Sequence, residues 1–275
     1  MRPDALTVTL GLGASLFDDR YGLASRRPPG LVRMPTFPDD ALVDAECHGD
    51  LILQLCANTE ETLLNAIRDL MRATRGALAA RWKVAGFLPA ARESGAGRNL
   101  LGFKDGTSNP DPARIWTLDG GTFQVVRIIR NRVEFWDRVA LSEQELMIGR
   151  RKDTGAPLDG RRERDAPNYR ADPKGRKIPM DAHIRLANPR TKKSEPRRIL
   201  RRGYNYSRGI DEAGQLDMGL VFVSFQSDLE HFAAIQCRLA GEPLVDYVVP
   251  TGGGYFYCPR GAAEASDWVG STLLA

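Results

Sequence analysis

An α+β fold is predicted by three features of this 275-residue chain. Short apolar stretches with strand-like patterning recur along its length. Helical periodicity, opened by capping residues, is confined to brief segments between them. The first half reads strand, strand, helix, strand, and the second half repeats a strand–helix–strand rhythm.

Leu6-Thr-Val-Thr-Leu-Gly-Leu-Gly13 alternates apolar with small or polar residues and reads as a strand. Gly11-Leu-Gly-Ala-Ser15 has neither a GK[ST] ending nor full GxGxxG spacing, so it reads as a turn and not a phosphate loop. Residues 16–45, rich in Pro, Asp and Arg, form an irregular connection. Asp50-Leu-Ile-Leu-Gln-Leu-Cys-Ala57 is apolar at nearly every position and reads as a buried second strand. Asn58 can cap the following helix with Glu61 as its capping-box partner. Leu63, Ile67, Leu70, Met71 and Thr74 share one face of that helix, which ends near Gly76. Arg81-Trp-Lys-Val-Ala-Gly-Phe-Leu88 reads as a third strand.

Residues 89–122 are a connection rich in Arg, Gly and Pro. A long strand over Phe123–Trp136 opens the second half, and Ser142-Glu-Gln-Glu145 starts a short helix with another capping box. Residues 150–180 are basic and turn-rich, but Asp and Glu interrupt the charge, so a solvated surface loop is expected and not a nucleic-acid patch. Gly219–Phe225 reads as a strand. Ser227-Asp-Leu-Glu230 caps a helix carrying Leu229, Phe232, Ile235 and Leu239 before Gly241. Tyr247-Val-Val and Gly254-Tyr-Phe-Tyr-Cys258 are the last strand-like pieces.

The net charge of +4 permits anionic ligands without demanding nucleic acid. Cys47, Cys56, Cys237 and Cys258 show no CxxC spacing and read as small buried hydrophobes. No CxxCH is present, which argues against covalent c-type heme. No run is long and apolar enough for a transmembrane helix. The N-terminus, Met-Arg-Pro-Asp-Ala, carries no signal peptide or twin-arginine segment.

Three stretches carry chemistry. Gly102-Phe-Lys-Asp-Gly-Thr-Ser-Asn-Pro110 holds a carboxylate beside glycine, and by itself Lys104-Asp-Gly is equally a tight turn. Asp181-Ala-His-Ile-Arg-Leu-Ala-Asn-Pro-Arg190 holds one of only three histidines, and a lone histidine is more often an ordinary hydrogen-bonded side chain. Ile199-Leu-Arg-Arg-Gly-Tyr204 supplies Arg201, 18 residues after His183.

In order and spacing these motifs resemble the dye-decolourising heme peroxidases, closest to the branch with the bacterial deferrochelatase/peroxidase of iron-uptake operons. Weaker similarity continues through Val133–Arg138, Leu216–Gly219 and Gly252–Phe256. The resemblance implies two ferredoxin-like units in tandem, of the dimeric α+β barrel type. Residues 1–95 would be the first unit, and 96–275 the second, carrying the heme site. The order of the first half lacks the initial strand and helix of such a unit. A member without its N-terminal part is therefore expected, with a strand edge left open to aggregation.

The resemblance also implies one non-covalent heme b per chain, with His183 as the axial iron ligand. Asp105 would be the proton shuttle. Arg201, always charged, would stabilise the departing oxygen of the peroxide. Gly106, Thr107, Ser108, Asn188, Pro189 and Arg190 would contact the heme, with Arg185 a further propionate partner. Gly102 and Gly106 would let the backbone approach the porphyrin. His48 and His231 have structural roles, and Arg197, Arg198 and Arg202 read as surface residues. For the acceptor behind His183, Asp228 and Glu230 are available, although helix capping also accounts for them.

Hydrogen peroxide and an organic electron donor are the implied partners, with iron-uptake components on the deferrochelatase reading and a homo-oligomeric state. Trp82, Trp116, Trp136, Trp268 and Tyr204 are all eligible electron relays. A carboxylate shuttle implies activity highest at acid pH. Release of iron from heme, or an inactive truncated paralogue, are the alternatives. Relatives are exported, so a periplasmic address is implied, or a cytoplasmic one if the chain is complete.

Overall fold

The computed structural model describes residues 4–89 and 95–274. One antiparallel sheet dominates it. β1 (Thr7–Gly13) pairs with β2 (Leu51–Cys56), register Thr7 to Cys56. β1 then joins β7 (Val248–Cys258) only through Leu12 and Gly13. β7 pairs along β3 (Thr122–Asn131), and β3 along β6 (Leu216–Gln226). On the far side of β6 lie two successive pieces of edge strand, β4 (Leu200–Arg201) and β5 (Tyr204–Ile210). From β3 onward this is a ferredoxin-like unit. Its first strand is β3, its broken second is β4 and β5, its third is β6 and its fourth is β7. The last two flank the first.

The remaining elements are helical. α1 (Glu60–Ala73) follows β2. α2 (Val133–Trp136), α3 (Leu141–Ile148) and α4 (His183–Ala187) lie between β3 and β4. α5 (Leu229–Leu239) connects β6 to β7, and α6 (Ser271–Leu274) ends the described chain. Phe123 and Val125 point from β3 into a core with Leu229 and Phe232 of α5, Tyr255 and Tyr257 of β7, and Phe37. Val126 and Ile128, one residue out of phase, meet Tyr206, Val221 and Val223 on the opposite face. The two-residue period thus makes β3 apolar on both sides, as a central strand covered twice must be.

Several expectations are corrected. β2 is an edge strand, and Leu53 is 43 % exposed, so its continuous apolar run does not mean full burial. Gly11–Gly13 belongs to β1 and is not a turn. The cap of α1 is Thr59, whose hydroxyl accepts from Thr62 N–H, one residue past Asn58. Met71 on the expected apolar face is exposed, and no α1 residue is fully buried.

Arg81–Leu88 forms no strand. Its alternation reflects Trp82 and Val84 packing on the sheet, while the backbone pairs once, Phe87 with Asn205. Apolar alternation reports burial, whereas a ladder needs a parallel-running free edge. β3 stops at Asn131, and the aromatic run after it is a helical turn burying Trp136. α3 begins at Leu141 with no side-chain cap, because Glu145 accepts from Lys152 N–H instead. Asp228, not Ser227, caps α5. The two last strand-like pieces are one strand, β7. Among the described residues all four cysteines are free thiols, but Cys237 is exposed and Cys56 half-buried. No described helix is long and apolar enough to cross a membrane.

Candidate functional site

A cavity of about 270 Å³ lies between the sheet and helices α3 to α5. A water needs roughly 10–15 Å³ by this kind of measure, so the space holds on the order of twenty. Its floor is apolar: Ile129 of β3, Leu220 and Phe222 of β6, Phe232 and Ile235 of α5. Six arginines and one lysine line it against three carboxylates, which suits an anionic ligand with a large apolar body.

His183, Asp105 and Arg201 all line this cavity, brought together from three stretches of sequence. His183 opens α4, a helix too short to be stable by itself. Arg238 of α5 holds it by donating to the terminal carbonyls of Leu186 (2.8 Å) and Ala187 (2.9 Å). Such orphan carbonyls at a helix end require a donor.

The acceptor behind His183 is Glu242, which neither capping argument pointed to. Its carboxylate lies 2.9 and 3.0 Å from Nδ1, and the residue is 5 % exposed. Asp228 and Glu230 sit at the start of α5, whereas Glu242 lies just past its end. The available signal was Gly241-Glu-Pro243, a helix stop that turns the chain and aims the carboxylate inward. Burial alone would depress the imidazole pKa, but the charge and hydrogen bond of Glu242 outweigh it and hold the pKa above the ordinary value. With Nδ1 committed to Glu242, Nε2 is the nitrogen left for a ligand bond.

Asp105 accepts at Oδ1 from Gly106 N–H (2.6 Å), and the same oxygen forms an ion pair with Arg201 Nη1 at 2.8 Å. Asn109, from the same motif, exchanges two hydrogen bonds with the backbone of Arg201, at 2.9 and 3.1 Å. The carboxylate loop and the arginine edge strand are therefore one locked unit. Trp136 secures the loop from behind. It donates to Leu101 O (3.0 Å) and packs edge-on against Phe103. Glu163 clamps it from the 150–180 segment, accepting from Lys104 (2.8 Å) and Ala96 N–H (2.9 Å).

Thr107, Ser108, Asn188 and Arg190 also line the cavity. Gly106 lines a smaller neighbour of about 110 Å³ that shares Asp105 and Arg201, and Pro189 lines neither. Gly102 and Gly106 have φ of +86° and +84°, so turn geometry requires glycine there. A Cβ on Gly102 would strike Lys152, and one on Gly106 would meet Asn109 Nδ2 at 4.0 Å.

Arg185 is not a cavity residue: it donates to Ile178 O and Asp172 O and stacks on Tyr169. Arg198, read as a surface residue, instead lines the cavity and donates to Ser108 O (3.0 Å) and Asn109 O (3.1 Å). Arg197 lines the cavity too. The 150–180 segment is more than a solvated loop, since Ala156, Asp172 and Ile178 are buried and Arg150, Pro167 and Tyr169 wall the site. His48 and His231 lie outside the cavity lining. Trp116 and Trp268 are about half exposed, whereas Trp136 is buried.

Among the described residues no group of three or more His, Cys, Asp or Glu could hold a bare metal ion. A single backed imidazole suits a metal already held by a macrocycle, which needs only axial ligation. The Nε atoms of Arg190 and Arg198 are buried without partners among the described residues, as donors awaiting an anion would be. The residues present thus fit an iron porphyrin with carboxylate side chains.

The family profile described as Dyp-type peroxidase, N-terminal matches residues 1–88, and its C-terminal counterpart matches 96–263. A deferrochelatase of Escherichia coli strain K12 is 51 % identical over 294 residues, covering 99 % of this chain and 69 % of the relative. The crystal structure of a DyP-type peroxidase from Cellulomonas bogoriensis superposes with a TM-score of 0.91 at 38 % identity, covering 99 % of this chain and 79 % of that one. Ferric DtpA from Streptomyces lividans gives 0.90 at 35 %, covering 98 % and 78 %.

Proposed function

This chain belongs to the Dyp-type peroxidase family, and on that premise we propose that it is a heme b peroxidase that reduces hydrogen peroxide and oxidises an organic, dye-type donor. The observation carrying the reading is the convergence of a carboxylate-backed imidazole with a carboxylate–guanidinium pair on one cavity. Heme held by His183, Arg190 and Arg198 would supply redox-active iron for peroxide reduction.

His183 offers Nε2 to the metal while Glu242 fixes the tautomer and raises the imidazole's electron donation. Arg190 and Arg198 offer guanidinium groups to the propionates. Among the described residues nothing hydrogen-bonds to Asp105 Oδ2, so Oδ2 is the atom to accept a proton from one peroxide oxygen and return it to the other. Arg201 keeps its charge throughout and stabilises the negative charge on the leaving oxygen. Asn109 holds the arginine backbone, so the pair needs little reorganisation. The apolar floor keeps bulk water from the reacting atoms.

The deferrochelatase name of the 51 % identical relatives keeps a second reading in view, iron release from heme. Reconstitution with hemin separates the two. A peroxidase yields oxidised donor in proportion to peroxide consumed with the heme retained, whereas iron release yields metal-free protoporphyrin. Protoporphyrin accumulation without donor oxidation would overturn the peroxidase reading.

Glu242→Gln is expected to lower hemin affinity about 10- to 100-fold, as loss of an outer-sphere carboxylate typically does. It should also shift the ferric Soret band. An unchanged spectrum and affinity would mean that Glu242 does not tune the axial imidazole.

A further inference from the structure

We propose that Tyr169, together with Arg150 and Arg190, forms a carboxylate-binding corner of the cavity, in which the phenol donates its hydrogen bond to a carboxylate of the bound ligand. The inference rests on the heme reading for one of its two ligand sources.

The ring of Tyr169 is pinned. The Arg185 guanidinium stacks on it at 4.9 Å and is itself tied to Ile178 O and Asp172 O, both at 2.8 Å. The hydroxyl is buried and has no hydrogen-bond partner among the described residues, and Tyr169 lines the main cavity with Arg150, Arg190 and Ser108. Buried hydroxyls are nearly always paired, so an orphan on a cavity wall points to a partner that binds there.

Its neighbours define what that partner is. Arg190 and Arg150 both act electrostatically on the phenol. Arg150 is 6 % exposed and oriented by Nη1 donating to Gly155 O (2.6 Å) and Glu163 O (2.9 Å). Arg190 has a buried, unpartnered Nε and a backbone φ of +53°, a strained setting for a non-glycine residue. Guanidinium groups only donate. Burial pushes the phenol pKa up to about 12, so it too is a donor near neutral pH. Three donors facing one space require an acceptor, and a carboxylate is the planar anion that guanidinium forks match. It could come from a porphyrin propionate or from a free organic acid serving as electron donor.

The test compares wild type with Tyr169→Phe, which keeps the stacked ring and removes one oxygen. Three probes are titrated: hemin, hemin dimethyl ester and benzoate. A hydrogen bond to a charged group is worth about tenfold or more in affinity. If the carboxylate is a propionate, the variant binds hemin about tenfold more weakly while the ester binds both proteins alike. If it is a free acid, hemin affinity is unchanged and benzoate binds the heme-loaded variant about tenfold more weakly. Equal affinities for hemin and for benzoate overturn the corner and leave the heme reading standing. An equal loss for hemin and its ester also overturns it, since that loss does not depend on a carboxylate. If the wild type takes up no hemin, the heme reading fails. Benzoate titrated into the protein alone then decides the corner, which stands on Tyr169-dependent binding and falls without it.

Discussion

Replacing His183 by alanine is expected to weaken hemin binding by at least ~100-fold and to abolish the ferric Soret signature of the wild type. Changes to outer-sphere partners alone typically cost about 10- to 100-fold, so loss of the ligand itself should cost more. Among the described residues no second histidine lines the cavity. His48 and His231 lie outside its lining, and Glu242, though it reaches the cavity wall, is arranged to accept from an imidazole. Added imidazole should restore part of the spectrum, because α4 is held by Arg238 and by Arg185, neither of which needs the His183 side chain. The measurement is a Soret titration with and without imidazole. An unchanged band in the variant would remove His183 as axial ligand and, with it, the orientation assigned to the whole cavity.

The second large effect belongs to Asp105→Asn. Asparagine has the same shape and can keep the contacts to Gly106 N–H and Arg201 through its carbonyl oxygen. It has no basic oxygen with which to take up a proton. General acid–base groups contribute about 10²- to 10⁴-fold, so the peroxide-dependent step should slow by that factor. Hemin affinity should change less than about threefold, since Asp105 is not assigned to hold the cofactor. Stopped-flow mixing with hydrogen peroxide reads the first quantity and the Soret titration the second. A rate within tenfold of wild type would mean that solvent moves the proton and that Asp105 only positions the arginine.

The ion pair between Asp105 and Arg201 bears on how these variants are read. The two groups touch at 2.8 Å, and Asn109 holds the arginine from its backbone. Residues acting as one unit do not contribute additively. A double variant should therefore lose less than the product of the single losses.

Much of the site was legible in order along the chain. His183, Asp105 and Arg201 stood out because their motifs keep a family spacing, and the structure does bring all three to one cavity. The neighbours of these residues were legible only as motif letters. Asn109 belongs to the Gly102–Pro110 motif, but its two hydrogen bonds to Arg201 arise from β4 folding back beside the motif loop. Arg185 and Arg198 exchanged roles between sequence and structure. Both are arginines in basic stretches, and only the folded chain determines which guanidinium faces the cavity and which turns toward Asp172.

What the sequence alone determined is local: a helix following Asn58, another opened at Ser227–Glu230 and stopped before Gly241, a long strand starting at Phe123, and the residue types that could serve iron and peroxide. Those features follow from side-chain period and from the few atoms a short segment can bond to itself. What the tertiary structure decided is every partnership between distant segments. Glu242 meets His183 across 59 residues, and Glu163 meets Lys104 across the same span. The extended run before Leu88 remains without a ladder because only Phe87 reaches a free sheet edge. The physical reason is common to all three. A hydrogen bond or ion pair depends on distance in space, and the packing of the whole chain sets that distance, whereas spacing in sequence constrains it only within a helix turn or a strand pair.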